Sequence, residues 1–120
     1  MEKVKLVTLG CEKNLVDSEI MEGLLHRHGH QPVKHLREAT VVVVNTCGFI
    51  DAAKEESVQT ILELAELKQK GKLKALIVAG CLVQRYKDEL MREIPEIDGI
   101  IGTGEFDRIA EIVDAALAGG

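Results

Sequence analysis

The chain of 120 residues is 46% hydrophobic and 29% charged, a composition typical of a folded globular domain and not of a disordered segment. Its net charge of −5 and its two phenylalanines and one tyrosine argue against non-specific nucleic-acid binding and require an aliphatic core. We find no signal peptide and no apolar run of the roughly 20 residues needed to cross a bilayer, so we expect a cytoplasmic protein without a membrane partner. A total of three cysteines argues against a disulfide framework.

Five short strand-like runs can be read along the chain. They are residues 5–9, 31–34, 41–45, 73–79 and 99–101. The third and fourth runs show no alternation of apolar and polar residues, which is typical of parallel strands covered by helices on both faces. The second run contains Pro32, which suits an edge strand.

Four other segments predict helices, because their apolar residues recur at helical spacing. They are residues 14–28, 51–70, 84–94 and 105–117, and Gly29, Gly71 and Pro95 end the first three. The residues expected on the apolar sides of the first two are Leu15, Ile20, Leu24 and Leu25, then Val58, Ile61, Leu62, Ala65 and Leu67. The order β-α-β-β-α-β-α-β-α predicts a single α/β domain over residues 1–120. Its doubly wound, mainly parallel five-stranded sheet would have the flavodoxin-like order 2-1-3-4-5 and be flanked by helices.

Each cysteine follows one of the predicted strands. Cys11, Cys47 and Cys81 come directly after strand-like runs, and a glycine adjoins each of them. Because parallel strands end at one edge of a sheet, the three thiols should converge where α/β sheets bind ligands. Thiolates suit zinc, Cu(I) or an iron–sulfur cluster. Structural zinc generally needs four ligands in close Cys pairs, so a 4Fe–4S cluster with one open iron fits this spacing better.

Other polar residues are candidates for smaller roles. We expect Asn14, Asn45 and Thr46 to lie near the cysteines and to donate hydrogen bonds to cluster sulfurs. For the remaining candidates we expect surface positions or ordinary turns, not binding sites. They are His26, His28, His30, His35, the carboxylates Asp17, Glu19, Glu22, Glu55 and Glu56, and the glycine-containing segment 102–105.

Four segments together resemble a known family over essentially the whole chain. They are residues 10–19 (GCEKNLVDSE), 44–50 (VNTCGFI), 54–57 (KEES) and 80–86 (GCLVQRY). They closely resemble the N-terminal domain of radical-SAM methylthiotransferases. Within that family they are most similar to the branch that modifies an aspartate of a small-subunit ribosomal protein. The tRNA-modifying branch more often has GCQMN and NTCAVR at the corresponding places.

The resemblance implies that Cys11, Cys47 and Cys81 hold an auxiliary 4Fe–4S cluster whose open iron carries the sulfur to be transferred. Glu12 stands where this branch usually has proline, which leaves the ligand set intact. In the full-length enzyme, a second 4Fe–4S cluster and S-adenosylmethionine would bind at a Cys-x-x-x-Cys-x-x-Cys motif. That motif and the substrate-binding domain are absent from these 120 residues.

We therefore expect this domain, by itself, to be unable to catalyse methylthiolation. Its partner would be a small-subunit ribosomal protein, reached through the full-length enzyme, with no direct contact to nucleic acid. Two alternatives remain open at this point. One is the same role in a tRNA adenosine methylthiotransferase, and the other is a stand-alone metal-binding module.

Overall fold

The strands form one five-stranded sheet in which every neighbouring pair is parallel. The computed structural model describes residues 2–9, 12–46, 51–102 and 105–118, without the side chains of residues 12–14, 51–54, 81, 82, 84 and 85. The strands are β1 (Lys3–Thr8), β2 (Gln31–Pro32), β3 (Val41–Thr46), β4 (Ala75–Gly80) and β5 (Gly99–Ile101). Their order in the sheet is β2-β1-β3-β4-β5, which confirms the predicted topology.

Four α-helices in the described ranges flank the sheet. They are α1 (Glu12–Arg27), α2 (Asp51–Gln69), α3 (Cys81–Glu93) and α4 (Ile109–Leu117). Gly29 and Gly71 follow α1 and α2 with φ of 90° and 80°, as expected for helix-ending glycines. In the described part of the chain, no helix is both long enough and apolar enough to cross a membrane.

The third and fourth helices differ from the prediction at their starts. α3 begins at Cys81 instead of residue 84. It has a kink at Tyr86, whose φ of −124° and ψ of 26° are non-helical. The segment predicted to begin at residue 105 starts with a 3₁₀ turn, Phe106–Arg108, before α4. Periodicity locates the body of a helix, but local backbone geometry decides its first turn.

The core consists of two aliphatic layers, one on each face of the sheet. Met21 and Leu25 of α1 and Val113 of α4 pack in one layer, and Ile61 of α2 and Leu90 of α3 pack in the other. Every residue of β3 and β4 is buried. The absence of alternation in these two strands therefore has the predicted cause, since both of their faces are covered.

The predicted apolar side of α1 was partly wrong. Leu15 and Ile20 are 54% and 51% exposed, whereas Met21 and Leu25 are fully buried. Ser18 lies on the buried side with them. Apolar residues occur on both sides of this helix, so spacing alone could not identify its buried side. The packing of α1 on β1 and α4 decides it.

The prediction for α2 was wrong at one position. Leu62 is exposed, and Leu64, which the prediction omitted, is buried beside Ile61 and Ala65. Val58 and Leu67 pack at the margin of the same layer, as predicted.

Candidate functional site at the carboxyl edge of the sheet

The three strands that lead to the cysteines end side by side. In the β1–β3 pair Thr8 lies beside Asn45, and in the β3–β4 pair Thr46 lies beside Gly80. The N–H of Leu9 donates to the carbonyl oxygen of Asn45 at 2.9 Å, which continues the pairing beyond β1. The chain therefore leaves all three strands at the same level of the sheet.

The cysteines themselves are described only in part. Cys11 and Cys47 lie outside the described residues, and so does the side chain of Cys81. The backbone of Cys81 begins α3 directly after Gly80. The structure thus brings together the strand ends that precede the cysteines, while the convergence of the thiols stays a prediction.

This edge coincides with the point where the strand order reverses. After β1 the chain continues to β2 on one side, and after β3 it continues to β4 on the other side. Open α/β sheets bind their ligands in the crevice that such a reversal creates. The helices α1, α2 and α3 also begin at this edge, and their N-terminal amide groups favour a negatively charged ligand there.

Gly80 allows the backbone of β4 to approach β3 very closely. Its φ is 100°, and a Cβ atom at this position would lie 2.5 Å from the carbonyl oxygen of Thr46 and 2.8 Å from Oδ1 of Asn45. Only glycine combines this conformation with this lack of space. The start of α3, and with it Cys81, is therefore held against the end of β3.

Two of the three predicted hydrogen-bond donors are fully buried at this edge. Thr46 Oγ1 donates to the carbonyl oxygen of Ala79 at 2.6 Å, so the hydrogen of its hydroxyl is directed at β4. Asn45 Nδ2 donates to Ser18 Oγ at 3.2 Å. The side chain of Asn14 lies outside the described set. Donation from these residues to cluster sulfurs stays a prediction.

Sequence reasoning missed Ser18. Its Oγ lies 2.6 Å from Thr8 Oγ1 and also accepts the hydrogen bond from Asn45, so it connects α1 with two strands. One signal was available, because Ser18 lies three residues before Met21 and seven before Leu25, on the same side of the helix. A small polar residue on a buried helical side needs partners, and here they are at the strand ends.

The prediction for the histidines was wrong in one case. His26, His28 and His35 are exposed as expected, but His30 is buried. Its Nε2 lies 2.9 Å from Asp114 Oδ1, and its Nδ1 accepts a hydrogen bond from the backbone N–H of Glu2 at 3.3 Å. It therefore lies at the opposite edge of the sheet, away from the carboxyl ends of β1, β3 and β4.

The carboxylates and the glycine-containing segment follow the more ordinary interpretation where they are described. The exposed carboxylates are Glu19, Glu22, Glu55 and Glu56, and Asp17 is half-buried. Residues 103 and 104 lie outside the described ranges, so anion binding at segment 102–105 stays untested. Within those ranges, no three His, Cys, Asp or Glu side chains are grouped so that they could hold a metal ion.

Comparison with known proteins identifies the family. The model of the uncharacterized protein family UPF0004 matches residues 3–102. The chain belongs to the UPF0004 family. All three cysteines and the three strand ends that precede them lie within the matched residues.

Several relatives of this UPF0004 chain are named ribosomal protein uS12 methylthiotransferase RimO. The protein of Symbiobacterium thermophilum is 58% identical over 117 residues, which are 98% of this chain and 24% of the relative. That of Clostridioides difficile is 56% identical over 94% of the chain and 26% of the relative. For Geobacter sulfurreducens the identity is 54%, over 94% of the chain and 25% of the relative.

These matches confirm the predicted resemblance. The chain spans about a quarter of the length of the relatives it matches. Their names therefore describe proteins much longer than the matched part.

Proposed function

We propose that this chain is the N-terminal domain of a ribosomal-protein methylthiotransferase and binds a 4Fe–4S cluster through Cys11, Cys47 and Cys81. The observation that carries the proposal is the register of β1, β3 and β4, whose ends lie at one level, one to three residues before these cysteines. The proposed substrate is an aspartate of a small-subunit ribosomal protein. The names of the relatives support the ribosomal-protein branch over the tRNA branch.

The residues present fit such a group. The donor set consists of three thiols, which as thiolates are soft ligands suited to iron–sulfur clusters, and three ligands leave one iron open. When bound, the cluster would supply through that iron the sulfur of the transferred methylthio group. The proposed second cluster and the S-adenosylmethionine site would lie outside the residues of this chain.

The chain's own contribution is to position the ligands, attract the cluster and exclude water. Gly80 lets the start of α3 lie against β3, so the strand end that precedes Cys47 and the backbone of Cys81 are neighbours. The N-termini of three helices favour the negative charge of a thiolate-ligated cluster. Below the edge, Val44, Val78 and Ala79 are fully buried, so water has no access from the interior of the sheet.

Anaerobic reconstitution with iron and sulfide tests cluster binding. We expect about four iron and four sulfide ions per chain, and a reduced protein with the electron paramagnetic resonance signal of a 4Fe–4S cluster. Cys11→Ala, Cys47→Ala and Cys81→Ala should each lose most of the iron. His26→Ala and His35→Ala, which remove exposed imidazoles, serve as controls and should bind iron like the parent protein. Full iron content in any cysteine variant would show that the ligand assignment is wrong.

A fusion protein tests the activity. The chain is joined to the part of the Symbiobacterium thermophilum relative that lies beyond the matched residues, and mass spectrometry follows methylthiolation of uS12. We expect activity in the fusion, loss of activity with Cys81→Ala, and none from this chain alone. Modification of tRNA instead of uS12 would favour the other branch. Iron binding that depends on the histidines and not on the cysteines would instead indicate a stand-alone metal-binding module.

A further inference from the structure

We propose that Thr8, Ser18 and Asn45 form a positioning unit that holds the cysteine-bearing segments in place before the cluster is inserted. We call these three residues the carboxyl-edge network. The inference rests on the proposed function, because it assigns these residues a role toward the cluster. It adds to that function a set of residues that do not themselves bind iron.

The network connects three separate elements through one atom. Ser18 Oγ of α1 lies 2.6 Å from Thr8 Oγ1 of β1 and accepts a hydrogen bond from Asn45 Nδ2 of β3 at 3.2 Å. Ser18 is 2% exposed and Asn45 is fully buried, so water does not compete for the bond between them, whereas Thr8 is half-buried. A hydrogen bond in such surroundings holds its partners more firmly than one in water.

The three residues of the network lie close in the sequence to the first two cysteines. Thr8 and Ser18 lie on either side of Cys11 in the sequence, so their contact closes the segment that contains this cysteine. Thr46 alone separates Asn45 from Cys47. The bond between Asn45 and Ser18 therefore sets the distance between the anchors of the two segments.

The oxygen end of the Asn45 side chain lies beside the residue that precedes the third cysteine. Since Nδ2 is directed at Ser18, Oδ1 is directed at β4, where it lies 2.8 Å from the point that a Cβ of Gly80 would occupy. Gly80 directly precedes Cys81. One amide side chain thus lies next to the anchors of Cys47 and Cys81 and is bonded to the residue that closes the Cys11 segment.

The chemistry of the network suits this role. Two hydroxyl groups and an amide carry no charge, so they add no repulsion toward a negatively charged cluster. They also do not titrate near neutral pH, so protonation does not disturb their geometry. Groups that orient metal ligands through hydrogen bonds typically change metal affinity about 10- to 100-fold when removed.

A pair of substitutions at the half-exposed Thr8 provides the test. Thr8→Val keeps the shape of the side chain but removes the hydroxyl, whereas Thr8→Ser keeps the hydroxyl. Ser18→Ala removes the central atom. Thr40→Val is the control, since it removes a hydroxyl that donates to Glu2 at 2.7 Å at the opposite edge of the sheet. The readouts are the urea midpoint of the apo proteins and the rate at which a chelator removes iron from the reconstituted proteins.

We expect Thr8→Val and Ser18→Ala to lose iron at least about tenfold faster than the parent, while Thr8→Ser stays close to the parent rate. Thr40→Val should lower the urea midpoint but leave the rate of iron loss unchanged. If Thr8→Val and Ser18→Ala lower the midpoint and keep the parent rate, the network is structural only and the inference is wrong. A parent protein that takes up no iron overturns the proposed function and the inference with it.

Discussion

The two edges of the sheet use different chemistry. The amino edge is the side of the sheet where the parallel strands begin, and a polar residue directly precedes every strand there. In sheet order these residues are His30, Glu2, Thr40, Lys74 and Asp98. Three of the five are charged. At the carboxyl ends of β1 and β3, the described side chains that bond to one another are uncharged and belong to Thr8, Ser18 and Asn45. The ion pair of Arg108 with Glu105 lies farther along this edge, beyond β5.

The amino edge is closed by interactions among its own groups. Thr40 Oγ1 donates to Glu2 Oε1 at 2.7 Å, and Lys74 Nζ lies 3.4 Å from Glu2 Oε2. Asp98 accepts hydrogen bonds from Lys68 Nζ at 2.5 Å and from the backbone N–H of Leu76 at 2.9 Å. Each of these three charged groups therefore has a protein partner.

The comparison shows how one sheet separates stability from ligand binding. Paired charges lie at the amino edge, while neutral groups and a close backbone approach at Gly80 shape the carboxyl ends of β1, β3 and β4. A negatively charged cluster at the carboxyl edge would meet no carboxylate from the network. If this distinction is correct, adding a charge at the carboxyl edge and removing one from the amino edge should each lower the free energy of unfolding, by different amounts.

The largest effect is expected from a charge placed at the carboxyl edge. Asn45→Asp is nearly isosteric, but it puts a carboxylate at a fully buried position where the amide now donates to Ser18. An uncompensated buried charge costs about 4 kcal/mol, so the free energy of unfolding should fall by that order. Urea unfolding measures it, and the loss should shrink as the pH falls because protonation removes the charge. An unchanged free energy at neutral pH would show that this edge accepts charge.

The next effect concerns the close approach of β4 to β3. Gly80→Ala combines an unfavourable positive φ with a Cβ placed 2.5 Å from the Thr46 carbonyl oxygen, and it should cost about 3 kcal/mol. Gly71→Ala is a matched control, since its φ is 80° but no atom lies within 4 Å of the added Cβ. That variant should cost only about 1 kcal/mol. Equal losses, measured by urea unfolding, would mean that backbone conformation and not space determines the role of Gly80.

Removing a charge from the amino edge should have a smaller effect. Asp98→Asn keeps an acceptor for the Leu76 N–H but removes the ion pair with Lys68, both of whose members are largely buried. We expect a loss of about 2 kcal/mol, because a hydrogen bond to a charged group is worth more than one to a neutral group. Reconstituted protein should lose iron to a chelator at the parent rate. Faster iron loss would mean that the two edges are not independent.

The smallest effect is the pH dependence of the amino edge. The hydrogen bond from Thr40, followed by the nearby Lys74, lowers the pKa of Glu2 below its ordinary value. A carboxylate whose pKa is lower in the folded state stabilises the fold above its unfolded pKa, and this contribution disappears as the pH falls through the folded pKa. Because Glu2 is partly exposed, the contribution should stay below about 1 kcal/mol.

Thr40→Val provides the test of this last prediction. Loss of the hydroxyl should raise the pKa of Glu2 in the folded protein toward its unfolded value. The variant should therefore be less stable than the parent at neutral pH, and this difference should shrink as the pH falls below the unfolded pKa of Glu2. Thermal unfolding between neutral and acidic pH measures the difference. Parallel curves would show that Thr40 does not set the pKa of Glu2.

The fold could be predicted from sequence to a large extent, and the candidate site only in outline. The apolar runs of β3 and β4 and the glycines after α1 and α2 act locally, so they located the elements and implied the strand order. Ser18 and His30 were not found in the same way. Their partners lie on other elements, Asn45 of β3 and Asp114 of α4. The sequence next to Ser18 and His30 does not identify these partners.

The sequence by itself determined the parallel sheet, the family and the positions of the three cysteines after three strands, because these depend on patterns along the chain. Only the tertiary structure decided the strand register, the buried side of α1 and the distribution of charge between the edges. The physical reason is the range of the forces involved. Backbone preference and hydrophobic periodicity act over one or two turns, whereas the bonds from Ser18 and the space around Gly80 depend on elements distant in the chain.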